Sequence, residues 1–141
     1  MSQDVTYDVS EGVATLTLNR PERMNTISGP MLDELTRLLV KAGEDREVRA
    51  IVLTGTGRAF CAGLDLNSAQ KGEGIGSSSA SFSATIDLRN TPPTVLHALD
   101  KPVIAALNGS AAGYGMDLAL GCDIRVMAAD AKLAAAFVKR G

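Results

Sequence analysis

The chain has 141 residues, enough to bury the core of one domain. Its 14 basic and 16 acidic residues are mixed along the sequence and leave a net charge of −2, so no basic stripe offers itself to a polyanion. Three Phe, two Tyr and no Trp give no stacking platform for bases, and no apolar run approaches the roughly 20 residues of a membrane span.

The polar, acidic start MSQDVTYDVS lacks the basic-then-apolar pattern of a signal peptide, and a cytoplasmic location is expected. VTYDVSEGVATLTLNR alternates apolar and polar residues on both sides of Glu11 and Gly12, which predicts a β-hairpin. NRPERMNTIS carries a proline and two asparagines without hydrophobic period, so it is expected as a loop. Ser28 then caps a helix in which Met31, Leu32, Leu35, Leu38 and Leu39 recur at helical spacing, fraying by GEDREV. RAIVLTG is a continuous apolar run rich in β-branched residues and predicts a strand buried on both faces.

TGRAFCAGLDL follows as a turn, and residues 68–81 are small, polar and patternless, as in a mobile surface loop. A helix is expected around Phe82 to Leu99, interrupted by Pro92 and Pro93. PVIAALNG predicts a second buried strand, and CDIRVMA a third after a glycine-rich helix. KLAAAFVKRG reads as a strand or turn entering a further element, so the chain is expected to be a fragment or truncated form. The alternation of strands and helices implies an α/β fold with parallel pairings. Cys61 and Cys122 stand singly in apolar surroundings, without CxxC spacing or a histidine pair, and read as buried thiols in a reducing compartment; no metal site is expected.

Two segments share one design. VLTGTGRAFCAGLDL and VIAALNGSAAGYGMDL each run from a buried strand into small residues and then a helix start, where backbone N–H groups lack partners and the dipole is positive. Facing one another, two such turns would aim two donors at one oxygen, which is an oxyanion hole. Either segment alone also fits a tight turn or close helix–strand packing. Neither matches a dinucleotide fingerprint or a P-loop. Asp117 lies just inside the second helix and shares a face with Gly113 and Gly121, a face nearly free of side chains on which something packs closely. An acid there suits proton transfer at carbon next to a carbonyl, although an acid in a first turn also simply suits the dipole. A Ser–His scheme fails: NGSAAG is not GxSxG, and His97, the only histidine, reads as a helix-surface or partly packed residue.

LNRPERMNTIS, AIVLTGTGRAFCAGLDL and KPVIAALNGSAAGYGMDLALGCDIRVMA, in this order from about Val13 onward, resemble the enoyl-CoA hydratase/isomerase (crotonase) superfamily. The resemblance implies a spiral of ββα units with residues 1–141 as its N-terminal core, assembled as a homotrimer or hexamer. It implies an acyl-CoA thioester substrate, with no separate cofactor because coenzyme A is part of that substrate. The oxyanion donors would be the N–H groups of Ala62 and Tyr114, with Asp117 as acid/base. CoA contacts would come from Met24, Thr26, Ala62, Gly63, Leu64, Asp65 and Leu66, with Gly113 and Tyr114 beside the thioester, and the 68–81 loop bordering the acyl pocket.

The sequence departs from the family's hydratases at three points. Asp117 stands where they carry glutamate, Phe137 stands where they carry a second glutamate, and their chains are nearly twice as long. These departures weigh against simple two-acid hydration. They leave open one-carboxylate chemistry such as double-bond isomerisation, a thioester hydrolase, and an acyl-CoA-binding member without hydratase activity.

Overall fold

The computed structural model describes residues 3–67 and 91–136. Alternation builds the hairpin as expected: β1 (Val5–Ser10) and β2 (Val13–Leu18) pair antiparallel, turning through Glu11 and Gly12 at positive φ. Ala14, Leu16 and Leu18 on one face of β2 are fully buried. A 3-10 turn at Pro21–Arg23 interrupts the expected loop. α1 (Gly29–Glu44) follows, its Met31 N–H donated to the Ser28 Oγ at 3.3 Å. Met31, Leu32, Leu35, Leu38, Leu39 and Ala42 form its buried stripe. At its other end the Lys101 ammonium donates to the Ala42 and Asp45 carbonyls, where the dipole favours a cation.

β3 (Ala50–Gly55) lies parallel to β2, β5 (Val103–Leu107) parallel to β3, and β7 (Ile124–Met127) parallel to β5, giving the order β1-β2-β3-β5-β7. A second, wholly parallel sheet holds three short strands, β4 (Ala59–Cys61), β6 (Ser110–Ala112) and β8 (Leu133–Ala134), in that order. α2 (Pro92–Ala98) precedes β5, and α3 (Tyr114–Gly121) precedes β7. Each long strand from β3 onward is thus followed by a short strand of the second sheet, and β5-β6-α3 is one complete ββα unit. The core lies between the inner face of the long sheet, with Ile51, Leu53, Val103, Ala105 and Leu107, and the helices.

Several expectations change. TGRAFCAGLDL is more than a turn, because Ala59, Phe60 and Cys61 form β4 with all three residues buried. NGSAAG enters β6 before the helix begins at Tyr114. Pro92 and Pro93 open α2 rather than interrupt it, which suits proline because the first helical N–H groups have no partner to lose. The strands β3 and β5 bury one face fully and the other only in part. CDIRVMA is a strand but not a buried one: β7 is the outer strand of its sheet, and Val126 is 61% exposed. The expected loop at 68–81, the start of the helix at Phe82 and Phe137 lie outside the described residues.

Both thiols are buried and free. Burial pushes Cys61 up to about 11, against a smaller downward pull from its bond to Gly63. Cys122 is pushed up to about 12 by burial and the neighbouring Asp123. A thiol that holds its proton to higher pH when folded contributes stability fully present below its ordinary value of 9.0, lost as pH rises through that value towards the folded one. Urea unfolding at stepped pH is therefore expected to show a midpoint falling from about pH 9 upward, and Cys61→Ala with Cys122→Ala is expected to flatten that fall.

Candidate active site

The site begins with how β4 is held. Asn25 is fully buried, with φ at 55° in the left-handed region that asparagine tolerates better than most residues. Its Oδ1 accepts the Arg20 N–H at 2.8 Å, and its Nδ2 donates to the carbonyls of Thr56 and Ala59, both at 2.9 Å. From the far side Asn108 donates through Nδ2 to Gly57 O at 2.9 Å and to the same Ala59 O at 3.0 Å, while its Oδ1 accepts the Gly55 N–H. Gly55 is required here, since a Cβ on it would stand 2.9 Å from Asn25 Nδ2 and 2.7 Å from Phe60 O.

The next residues are fixed by backbone. Ile27 donates to Gly63 O and Asp65 donates to Ile27 O, each at 2.9 Å, which docks the loop after β2 alongside AGLDL. Arg20 reinforces the seam, with Nη1 on Thr26 O at 2.8 Å and Nη2 on Asp65 Oδ2 at 2.9 Å. Arg23 approaches the same carboxylate at 3.4 Å. The Asp65 side chain is thereby turned into the protein as a strut. An open groove of about 430 Å³ runs along this seam, lined by Arg23, Met24, Thr26, Leu64, Asp65, Leu66 and Asn67. It joins five of the residues that the resemblance marks for CoA. A second groove of about 310 Å³, between α1 and α2, is lined by Val40, Val95, Ala98 and Leu99 among others and joins none of the residues that the resemblance marks.

β4 and β6 run parallel with Cys61 beside Ala111, so their ends bring Ala62–Gly63 next to Gly113–Tyr114. A Cβ on Gly63 would lie 3.4 Å from Ala112 O and 4.0 Å from Tyr114 N. α3 starts hard against β4: a Cβ on Gly115 would collide with the Cys61 carbonyl oxygen and stand 2.7 Å from Cys61 Cβ. The close approach on α3 is therefore at Gly115. The face shared by Gly113, Asp117 and Gly121 is not open along its length, since Leu96 of α2 covers Gly121, 3.2 Å from where its Cβ would be.

The two expected oxyanion donors differ in state. The Tyr114 N–H, first in α3, has no partner among the described residues. The Ala62 N–H is donated to Met24 O at 3.0 Å, so a substrate oxygen would have to share it. Asp117 is half-buried one turn into the helix, and its carboxylate has no hydrogen-bond or ion-pair partner among the described residues. The Tyr114 hydroxyl is buried and likewise unpartnered, an arrangement that costs about 1–3 kcal/mol. Burial above all, then the charges of Asp117 and Cys61, push this phenol well above its ordinary range. His97 is exposed on α2, outside this constellation. No His/Cys/Asp/Glu group able to hold a metal occurs among the described residues.

Sequence reasoning missed Asn25, Asn108 and Arg20. Asn25 in the proline-containing loop and Asn108 beside Gly109 both read as turn residues, and nothing local announces that two such amides meet at one carbonyl.

Comparison with known proteins gives a consistent picture. The family model described as Enoyl-CoA hydratase/isomerase matches residues 8–141. The 1,2-epoxyphenylacetyl-CoA isomerase of Escherichia coli K12 is 42% identical over 100% of this chain and 53% of its own. The (E)-benzylidenesuccinyl-CoA hydratase of Thauera aromatica is 38% identical over 96% of this chain and 51% of its own. The crystal structure of an enoyl-CoA hydratase from Mycobacterium marinum superposes with a TM-score of 0.82 at 31% identity, covering 97% of this chain and 63% of that one. The chain spans about half the length of the curated relatives it matches.

Asn25→Ala would remove an acceptor from one part-buried N–H and a donor from two carbonyls. It is expected to cost at least about 2 kcal/mol in urea unfolding. A loss under about 0.5 kcal/mol would show that the amide does not hold β4 in place.

Proposed function

The chain belongs to the enoyl-CoA hydratase/isomerase family, and from that premise we propose that it binds an acyl-CoA thioester and stabilises the thioester enolate. The observation that carries this reading is the meeting of the two turns at the ends of β4 and β6, with the unpartnered Tyr114 N–H between them. A thioester oxygen seated there would take one hydrogen bond from Tyr114 and a second, shared one from Ala62. Asp117 would remove a proton from the carbon next to the carbonyl, the electron pair of that C–H bond passing to the oxygen held by the two N–H groups. Gly113 leaves room for the thioester. Met24, Thr26, Leu64, Asp65 and Leu66 would wall the groove along which the CoA moiety extends.

The reaction that completes this step is set by where further acids stand. The two relatives above are named for an isomerase and a hydratase, and both names contain a CoA thioester. With the Asp65 carboxylate held by Arg20 and Arg23, Asp117 is left to move the proton, and proton relocation at a single face, as in isomerisation, fits better than two-acid hydration. The length of the relatives favours a second reading, in which these residues bind the thioester and further chain is needed for turnover. Assembly into a trimer or hexamer would give the exposed Leu120, Ile124 and Val126 a partner surface.

The test is the near-ultraviolet difference spectrum of acetoacetyl-CoA, whose enolate absorbs distinctly, with far-ultraviolet circular dichroism as folding control. The folded protein is expected to raise the enolate band. Asp117→Asn is expected to slow α-proton exchange into D2O by ~100-fold or more while leaving affinity within a few-fold. A folded protein without the band removes the oxyanion assignment. Full exchange in Asp117→Asn removes the acid's role.

A further inference from the structure

Tyr114 contributes more than its backbone. Its ring packs against the core, and its hydroxyl is buried without a hydrogen-bond partner among the described residues. Three residues on, along the same side of α3, the Asp117 carboxylate also has none. A neutral phenol can give one strong hydrogen bond, and an ionised carboxylate can only accept. The other buried, unpartnered hydroxyl among the described residues, Tyr7, lies on the outer strand β1 with the Lys41 ammonium 4.7 Å over its ring and the Asp45 charge nearby, away from the two glycine-rich turns.

We infer that the Tyr114 hydroxyl is a positioning donor for Asp117, hydrogen-bonded to its carboxylate when an acyl-CoA thioester fills the site. This rests on the role given above to Asp117. Ligand entry strips water from the half-buried carboxylate, and the phenol three residues away on the same side of the helix is a donor able to replace it. The bond favours the charged carboxylate, the form that acts as base, and turns the short aspartate side chain to one direction. Burial and the Asp117 charge keep the phenol protonated through the working pH range, so it remains a donor. Among the described residues, few other titrating groups lie on the elements packed against the pair. From β4 there is the Cys61 thiol, which burial keeps protonated. β6 carries no titratable side chain, and His97 is exposed on α2, which meets α3 through Leu96 and Gly121.

Tyr114→Phe removes the hydroxyl and keeps the ring. Because that hydroxyl is unpartnered in the free protein, urea unfolding of the variant is expected to be unchanged or shifted to higher midpoint. With acetoacetyl-CoA bound, the Asp117 carboxyl, followed by carbon-13 NMR, is expected to titrate about one pH unit higher in Tyr114→Phe than in the parent. In the free protein the two are expected to coincide. The acid limb of α-proton exchange is expected to move upward by the same amount, with the rate falling about tenfold at neutral pH and KM within twofold. Adding Tyr114→Phe to Asp117→Asn is expected to cost nothing further. Coincident carboxyl titrations of parent and variant in the bound state would overturn the proposal, even where the parent exchanges no proton and the functional reading has failed. A full additional loss in the Asp117→Asn background would overturn it as well, by showing that the hydroxyl acts elsewhere.

Discussion

The structure turns on one carbonyl oxygen. Ala59 O accepts two side-chain amides, Asn25 from the loop after β2 and Asn108 from the turn after β5, at 2.9 and 3.0 Å. A carbonyl has two lone pairs, so this oxygen is saturated by groups from two distant parts of the chain. β4 has three residues, and its register with β6 shifts between Ala59 and Cys61, so strand pairing alone holds it loosely. The amides supply what the ladder lacks. They also pair the Thr56 and Gly57 carbonyls of the turn before β4, which would otherwise be polar groups in irregular backbone without partners. Because β4 leads directly into Ala62 and Gly63, the position of Ala59 sets how that turn meets Tyr114.

A second constraint acts further along the same seam. Asp65 is almost wholly enclosed and meets Arg20, itself only 12% exposed, at 2.9 Å. A buried pair of this kind contributes little net stability, because desolvation offsets much of the attraction. Its effect is on geometry. Arg20 holds the Thr26 carbonyl with one nitrogen and Asp65 with another, so the two walls of the groove are kept at a fixed separation by one planar guanidinium. With Asp65 turned inward, Leu64 and Leu66 remain exposed along the groove, offering apolar surface beside the Arg23 charge. A ligand with a flexible apolar arm and an anionic end has complementary surface there.

These features divide sharply in how far they can be read from sequence. The hairpin, α1, β3 and β5 carry strong periods over six or more residues or an unbroken apolar run, and each stands where its pattern predicts. The pairing of the two glycine-rich turns was legible because both run from strand into small residues. β4 and β6 were not legible: AFC and SAA are too short for any period, and full burial of all three residues of β4 removes the alternation that would mark a strand. The exposure of β7 was hidden for another reason. An apolar run such as IRVM has the same composition at the edge of a sheet as at its centre, and its neighbours are decided by topology, which composition does not encode. Phe137, read from the sequence as a missing second acid, lies outside the described residues.

The stripped backbone of GYGMDL has a purpose at one position above all. Gly115 lets the first turn of α3 rest against Cys61, and that contact keeps the Tyr114 nitrogen near Gly63, 4.0 Å from where a Cβ on Gly63 would stand. Asp117 then sits within the same first turn, in the positive field of the helix start. In the proposed reaction the negative charge begins on this carboxylate and ends on the thioester oxygen. Both places lie at one helix end, so the dipole stabilises reactant and product charge to similar degrees and contributes little to lowering the barrier between them. Only interactions that strengthen as the charge moves can do that. The Tyr114 N–H, unpartnered among the described residues, would be such an interaction if the thioester oxygen is seated there as proposed. In that proposed reaction the catalytic weight would fall on the Tyr114 N–H, and on the glycine beside it that lets the helix start so close to Cys61.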